Sequence, residues 1–438
     1  MVRNLLVVLA TIVTCASAAA DPGINLVDWS KPRTEDEARL LPGLLLGKRI
    51  FEDLELSEPR GLSCASCHDP ATAYRGNNHS AIPAIPAGSR PGIFGNRKSP
   101  SILYQAYSPP FAFAERLNDV TGEPEIVPVG GQFWDGRASG LEEQVEGPLL
   151  NPREMNNPSK ESVVSKVRAG PYADLAREVY GAQIFEDDRA FEKLASAVAS
   201  YEASPRFKPF SSKFDQWLEG RTLLSDQEWM GFQLFVDRKK GNCLSCHDGG
   251  GVDEHEGSAA VASAKGPTDM SQLSRNPRSW LFTDFTYDVL GAPRNRAIPE
   301  NADPAHFDLG LCARSDLRSL APADYDLESL CGAFKVPSLR NVAVGGPYLH
   351  NGAFTKLRDV VAFYFTRDTD PGRWFSKTAN GAVEKFDDLP ERYRHNVNVR
   401  QVPYDRKAGE EPRATDDEID ALVAFLKTLT DEPFKNSD

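Results

Sequence analysis

The sequence predicts a mainly α fold with long loops, organised as two domains over residues 21–205 and 206–438. Three observations predict it. Apolar residues recur at helical spacing in both halves of the chain, and no stretch shows the alternation of a strand ladder. One Cys-x-x-Cys-His pattern also occurs in each half, each time after a helix-like segment. The 438 residues, 40% of them hydrophobic, suffice for two or three real cores. A formal charge of -13 excludes sequence-independent nucleic-acid binding, which needs a basic face. The 33 glycines and 32 prolines exceed the usual combined share of about 12%. That composition favours long ordered loops, or a core partly supplied by something other than side chains.

Taken in order, the first element is a leader. Arg3 gives a positive start, Leu5 to Val13 an apolar run, and Ala16-Ser17-Ala18 or Ala18-Ala19-Ala20 a small-residue cleavage site, so residues 1–20 read as a signal peptide. No second apolar stretch is long enough to span a bilayer, and the expected location is the periplasm. Leu46-Gly47-Lys48-Arg49-Ile50-Phe51 then reads as the end of an amphipathic helix before the first Cys pattern. Met230-Gly231-Phe232-Gln233-Leu234-Phe235 does the same before the second, as a distant duplication would. Between them, Leu194, Val198 and Tyr201 mark one helical face, and Ser204 to Ser212, with two prolines and basic residues, marks a boundary. Asp248 to Gly332 is loop-like. Thr415-Asp-Asp-Glu418 is a capping box that opens a helix with Ile419, Leu422, Val423 and Leu426 on one face.

The chemistry sits in the cysteines. With Cys15 in the leader, Cys64-Ala-Ser-Cys67-His68 and Cys243-Leu-Ser-Cys246-His247 both match the attachment motif of haem c. The two thiols add to the haem vinyl groups, and the following histidine, His68 or His247, becomes the proximal iron ligand. A redox dithiol has no need of a histidine after both pairs. A zinc site would join the two pairs, yet they are far apart and each has its own flanking helix. Two covalently bound haem c groups are therefore expected. Cys312 and Cys331 remain, and in an oxidising compartment they read as a disulfide.

Longer motifs fill the space between and after the haem sites. They run from Gly131-Gln-Phe-Trp134-Asp-Gly-Arg137 through Gln144 and Pro148 to Asn151-Pro-Arg-Glu154-Met155. Later come Phe334-Lys-Val-Pro337-Ser-Leu-Arg340-Asn341 and Pro347-Tyr-Leu-His350-Asn-Gly352. Over nearly the whole mature chain these segments resemble the bacterial dihaem cytochrome c peroxidases and their MauG-like relatives. The resemblance implies two cytochrome c-like domains, with peroxide chemistry at the N-terminal haem and electron storage or relay at the C-terminal one. It places Trp134 between the haems, Glu154 as the distal carboxylate, Gln144 and Pro148 in the same distal pocket, and His350 as the family's histidine near the haems. Elementary chemistry supports the carboxylate: splitting peroxide needs a group that takes a proton from the near oxygen and returns it to the far one.

Four positions place the chain within the resemblance. Fourteen residues after His350, where the electron-consuming peroxidases have a methionine ligand, stands Tyr364, as in the MauG- and MbnH-like branch. Its alternative is a core role, because Leu357, Val360, Val361 and Phe365 share its helical face. Met270 and His255 are rival ligands by element type alone. Sixteen residues after His68, where peroxidases that need reductive activation have a histidine, stands Ala84, with His79 nearby as a surface histidine. At the asparagine of the family's calcium site stands Lys98. Gly345 and Pro347 still offer carbonyls to calcium, while the Lys98 ammonium is the alternative occupant. Where MauG has a tryptophan two residues before its second haem motif, this chain has Gly241.

The resemblance thus implies an enzyme that uses hydrogen peroxide, holds two oxidising equivalents across both irons in a bis-Fe(IV)-type state, and spends them on a partner protein's side chain, tryptophan above all. Its rivals are a peroxidase fed by a small cytochrome or cupredoxin, and a non-catalytic electron carrier. The partner in either peroxidase reading is a periplasmic protein, as substrate or as electron donor.

Overall fold

The structure, a computed structural model, describes residues 35–118, 121–248 and 276–435. The leader, His255 and Met270 lie outside the described residues. The fold is mainly α, as expected, and residues Pro42–Asp438 form one compact unit. Its helices are α1 (Glu35–Phe51), α2 (Cys64–Cys67), α3 (Leu141–Leu150), α4 (Lys160–Ala169), α5 (Ala173–Tyr180), α6 (Ala190–Glu202), α7 (Lys213–Leu218), α8 (Asp226–Val236), α9 (Leu317–Leu320), α10 (Leu357–Thr366) and α11 (Asp416–Lys427).

Two pairs of these helices meet in the same way. Gly47 of α1 approaches α6 so closely that a Cβ would lie 2.0 Å from the Ala197 carbonyl oxygen. Gly231 of α8 approaches α11 in the same way, with a Cβ 2.0 Å from the Ala421 carbonyl oxygen. Each crossing therefore requires glycine, and each delivers the chain to a Cys-x-x-Cys-His segment. Leu46, Ile50 and Phe51 pack with Leu194, Val198, Tyr201 and Phe207 in one apolar core. Phe232 and Phe235 pack with Phe214, Phe282, Ile419, Leu422 and Phe425 in another. A third surrounds Phe363, Phe375 and Phe386. The capping box at Thr415 forms as read, with Glu418 N–H donating to the Thr415 hydroxyl and the Glu418 carboxylate accepting from Thr415 N–H.

One element departs from the sequence reading. β1 (Ala112–Leu117) and β2 (Pro124–Val129) pair antiparallel as a hairpin, closed by a turn in which Asn118 N–H donates to the Glu123 carbonyl. Prolines at 124 and 128 suppress the strand signal, although an isolated two-stranded ribbon tolerates them. A second, minimal pair joins β3 (Tyr287–Asp288) to β4 (Phe334–Lys335). The loop-like segment from Asp248 is, over its described part, a series of short 3₁₀ turns interrupted by β3 and α9, with the Cys312–Cys331 disulfide closing its end.

Candidate functional site: two facing cavities

Each Cys-x-x-Cys-His segment opens onto a large cavity, and the two are built alike. In the first, His68 Nδ1–H donates to the Tyr74 carbonyl at 3.2 Å; in the second, His247 Nδ1–H donates to the Phe282 carbonyl at 3.0 Å. Both residues that offer the accepting carbonyl are non-glycine residues in left-handed backbone, Tyr74 at φ 57° and Phe282 at φ 56°. The Ser101 hydroxyl ties down the Ala73 carbonyl at 2.7 Å, and the Ser338 hydroxyl ties down the Leu281 carbonyl at 2.6 Å. Fixing Nδ1 in this way commits Nε2 to whatever fills the cavity, as a metal-bound histidine requires. Burial pushes both imidazoles down to about 4, so each is neutral with a lone pair to give.

The first cavity is lined by Cys64, Cys67, His68, Trp134, Gln144, Pro148 and Glu154. The second is lined by Cys243, Cys246, His247, Trp134, His350 and Tyr364. All four motif cysteines are free thiols on the cavity walls. A flat tetrapyrrole attached through two thioethers and one imidazole fits this donor set at both places.

The walls carry the chemistry. On the first, α3 presents Gln144 and Pro148, and its end turns back to bring Glu154 beside them. Glu154 Oε1 accepts from Asn151 Nδ2 at 2.7 Å, and burial raises the carboxyl above its ordinary range against the opposing pull of Arg137 and Asn151. On the second, α10 presents Tyr364, whose phenol burial pushes up strongly. His350 stacks flat on Phe334 at 3.5 Å between centroids, and its buried Nε2 has no hydrogen-bond partner, standing 3.5 Å from Asp388 Oδ2. Trp134 lines both cavities. Its Nε1–H donates to the Lys98 carbonyl at 2.8 Å, and its own carbonyl accepts from Lys335 N–H at 2.8 Å. Arg97 braces the segment by pairing with Asp135 and Asp308, each at 2.6 Å.

Comparison with known proteins bears on this arrangement directly. Residues 42–223 match the family model described as di-haem cytochrome c peroxidase. Over 416 residues, 92% of this chain and 92% of the relative, the sequence is 33% identical to the methylamine utilization protein MauG of Paracoccus denitrificans. The chain belongs to the MauG and dihaem cytochrome c peroxidase family. It is also 26% identical to cytochrome c551 peroxidase of Nitrosomonas europaea, over 78% of this chain and 77% of that one. Among solved structures it resembles the diheme peroxidase BthA of Burkholderia thailandensis, with 41% identity, a TM-score of 0.76, and coverage of 90% of this chain and 86% of that chain. This family is one of peroxide-using dihaem oxidoreductases, which implies two haem c groups, and the protein is an enzyme.

Within the family frame, other positions find their places. Ala84 lies outside the first haem cavity, packed where a Cβ on Gly352 would come within 2.1 Å of its own methyl, and His79 is exposed in left-handed backbone. Neither side chain lines the first cavity. Gly241 does line the second cavity, and a Cβ there would lie 2.1 Å from the Leu234 carbonyl oxygen. Gly345 and Pro347 line a third cavity together with Lys98 and Arg75.

Sequence reasoning missed four residues. Lys335 lines both haem cavities, its ammonium donates to the Gly131 carbonyl at 2.6 Å, and burial pushes it down to about 7. Its signal was present: Lys98-Ser-Pro100-Ser101 and Lys335-Val-Pro337-Ser338 are one repeated pattern, with the carbonyl of each proline facing its proximal histidine. Glu202 lines the first cavity, Tyr404 stands 5.8 Å from Tyr364 between ring centroids, and Arg75 lines the third cavity. No local pattern marks any of these three.

Proposed function

We propose that this chain is a periplasmic MauG-like oxidase that takes hydrogen peroxide at the His68 cavity and draws two electrons from a tryptophan side chain of a partner protein. The balance is simple: peroxide accepts two electrons and two protons and leaves as two waters, and the partner's side chain is the reductant. Haem c bound in the cavities supplies the redox-active iron for this exchange. The side chains supply the rest. Glu154 is a buried carboxyl of raised affinity for protons, suited to taking a proton from peroxide and returning it. The Gln144 amide beside it orients the peroxide. Pro148 and the apolar wall of α3 exclude water. Trp134, shared by both cavities, is the route for charge between them.

Tyr364 is the single observation that carries this reading over a peroxidase fed by a cytochrome or cupredoxin. It lines the second cavity with His247, and no methionine lines that cavity among the described residues. A phenolate ligand favours oxidised iron, whereas a methionine thioether raises the potential and suits an electron entry site. Gly241 adds that any exit of charge differs from MauG's, because the Leu234 carbonyl leaves no room for a side chain there.

Electron paramagnetic resonance of the resting ferric holoenzyme tests the assignment. One high-spin and one low-spin haem are expected, and Tyr364→Phe removes the low-spin signal. Tyr364→Met, the type of exchange present in a crystallised BthA variant, is expected to raise the potential of the second haem and to confer turnover with reduced cytochrome c. A low-spin signal untouched by Tyr364→Phe makes the tyrosine a core residue. Rapid wild-type turnover with reduced cytochrome c establishes the electron-consuming peroxidase instead.

A further inference from the structure

The family resemblance leads one to expect calcium in the cavity beside Gly345 and Pro347, and the residues there do not fit it. Calcium takes six to eight oxygen ligands at about 2.3–2.6 Å, usually with carboxylates among them. Among the described residues, no Asp or Glu lines this cavity. Two basic residues do, Arg75 and Lys98. Arg75 already occupies the oxygen that a metal would need, because its Nη1 donates to the Gly345 carbonyl at 2.9 Å, and its Nη2 donates to the Asn341 carbonyl. A divalent ion here would lose one carbonyl to a guanidinium, gain no side-chain oxygen at position 98, and face two positive charges at close range.

Lys98 is also where the two haem cavities are tied together. Its backbone N–H donates to the His350 carbonyl at 2.8 Å, and its carbonyl accepts from Trp134 Nε1–H at 2.8 Å. One residue therefore sits between the shared tryptophan and the histidine of the second cavity, and the same residue lines both the third cavity and the first. We propose that Lys98 is the resident cation of this cavity, that its ammonium stands in place of calcium, and that the Trp134–Lys98–His350 linkage holds without a bound divalent metal.

Burial and the neighbouring Arg75 guanidinium lower the Lys98 ammonium to about 7, the direction a second cation takes beside a first. Further positive charge is repelled, so the site is closed to calcium by electrostatics as well as by its ligand set.

The test uses the dihaem holoenzyme. Elemental analysis of wild-type protein is expected to find far less than one calcium per chain. Calorimetric titration with calcium chloride is expected to give no binding heat, and treatment with EGTA to leave the resting electron paramagnetic resonance spectrum unchanged. Lys98→Asn, which removes the charge and restores a side-chain oxygen, is expected to bind calcium at least tenfold more tightly than wild type. Lys98→Met, with neither charge nor oxygen, is expected to shift the haem spectrum, and Lys98→Arg to restore it. One calcium per wild-type chain, or a wild-type spectrum altered by EGTA, overturns the proposal without any variant. Equal calcium affinity in wild type and Lys98→Asn, or a Lys98→Met spectrum identical to wild type, overturns it as well.

Discussion

Glu154 and Glu202 are both buried carboxyls on the first cavity, yet their surroundings assign them different work. Glu154 keeps one hydrogen bond, from Asn151, and stands beside Gln144. Glu154→Gln is expected to slow the reaction with peroxide by about 10²–10⁴-fold, the usual worth of positioned acid–base assistance, without loss of haem. Stopped-flow mixing measures this, and a wild-type rate in the variant removes the residue from the chemistry. Glu202 is only 4% exposed, its Oε2 has no partner, and burial raises it to about 8. A carboxyl whose folded value lies above its unfolded one, near 4.3, favours folding while protonated. That contribution is complete below the unfolded value and is lost as pH rises toward 8. Relative to wild type, Glu202→Gln is therefore expected to gain stability between pH 5 and pH 8. Urea midpoints at the two pH values check it, and an equal difference at both counts against a buried neutral acid.

At the scale of elements, the two helix crossings carry most of the architecture. The glycines at 47 and 231 stand in equivalent places, against the Ala197 and Ala421 carbonyls. Gly47→Ala and Gly231→Ala each force backbone apart in a packed interior, a strain that typically costs about 1–3 kcal/mol. Thermal denaturation of the holoenzyme is expected to show both variants destabilised to a similar degree; a neutral substitution at one of them means that crossing is not close in solution. These glycines were legible in the sequence as a repeated Gly-x-x-x-Phe pattern, but their reason was not. Only the partner helix, about 150 to 190 residues further along the chain, shows why no side chain is allowed. The hairpin of β1 and β2 was illegible for the opposite reason, since its prolines erase the local signal that the pairing overrides.

For the whole molecule, the shared wall between the cavities decides behaviour. Trp134, Lys98 and Lys335 interlock there through backbone and indole hydrogen bonds, and Arg97 ties the wall to Asp308. Trp134→Phe removes the indole donor and the oxidisable ring while keeping an aromatic of similar bulk. Both haems are expected to stay bound but to respond independently, so that a potentiometric titration loses the interaction expected between the haems of the wild type. Unchanged interaction between the haems places the route for charge elsewhere.

What the sequence determined by itself is whatever chemistry imposes at short range. Two thiols and a histidine within five residues form the haem c attachment motif whatever surrounds them, a capping box closes its own helix end, and a tyrosine stands where a methionine would mark the electron-consuming branch. The longer motifs single out Trp134, Gln144, Glu154 and His350, and each lines one or both of the two cavities because it is anchored to a nearby turn or helix. What only the tertiary structure decided is everything set by desolvation and by approach from distant segments. Lys335 and Glu202 are ordinary surface residue types until the fold buries them against a cavity. Lys98 became a candidate occupant from sequence, but the closure of its cavity to calcium depends on Arg75 reaching the Gly345 carbonyl. Burial and long-range proximity are properties of the packed chain, and no local run of residues encodes them.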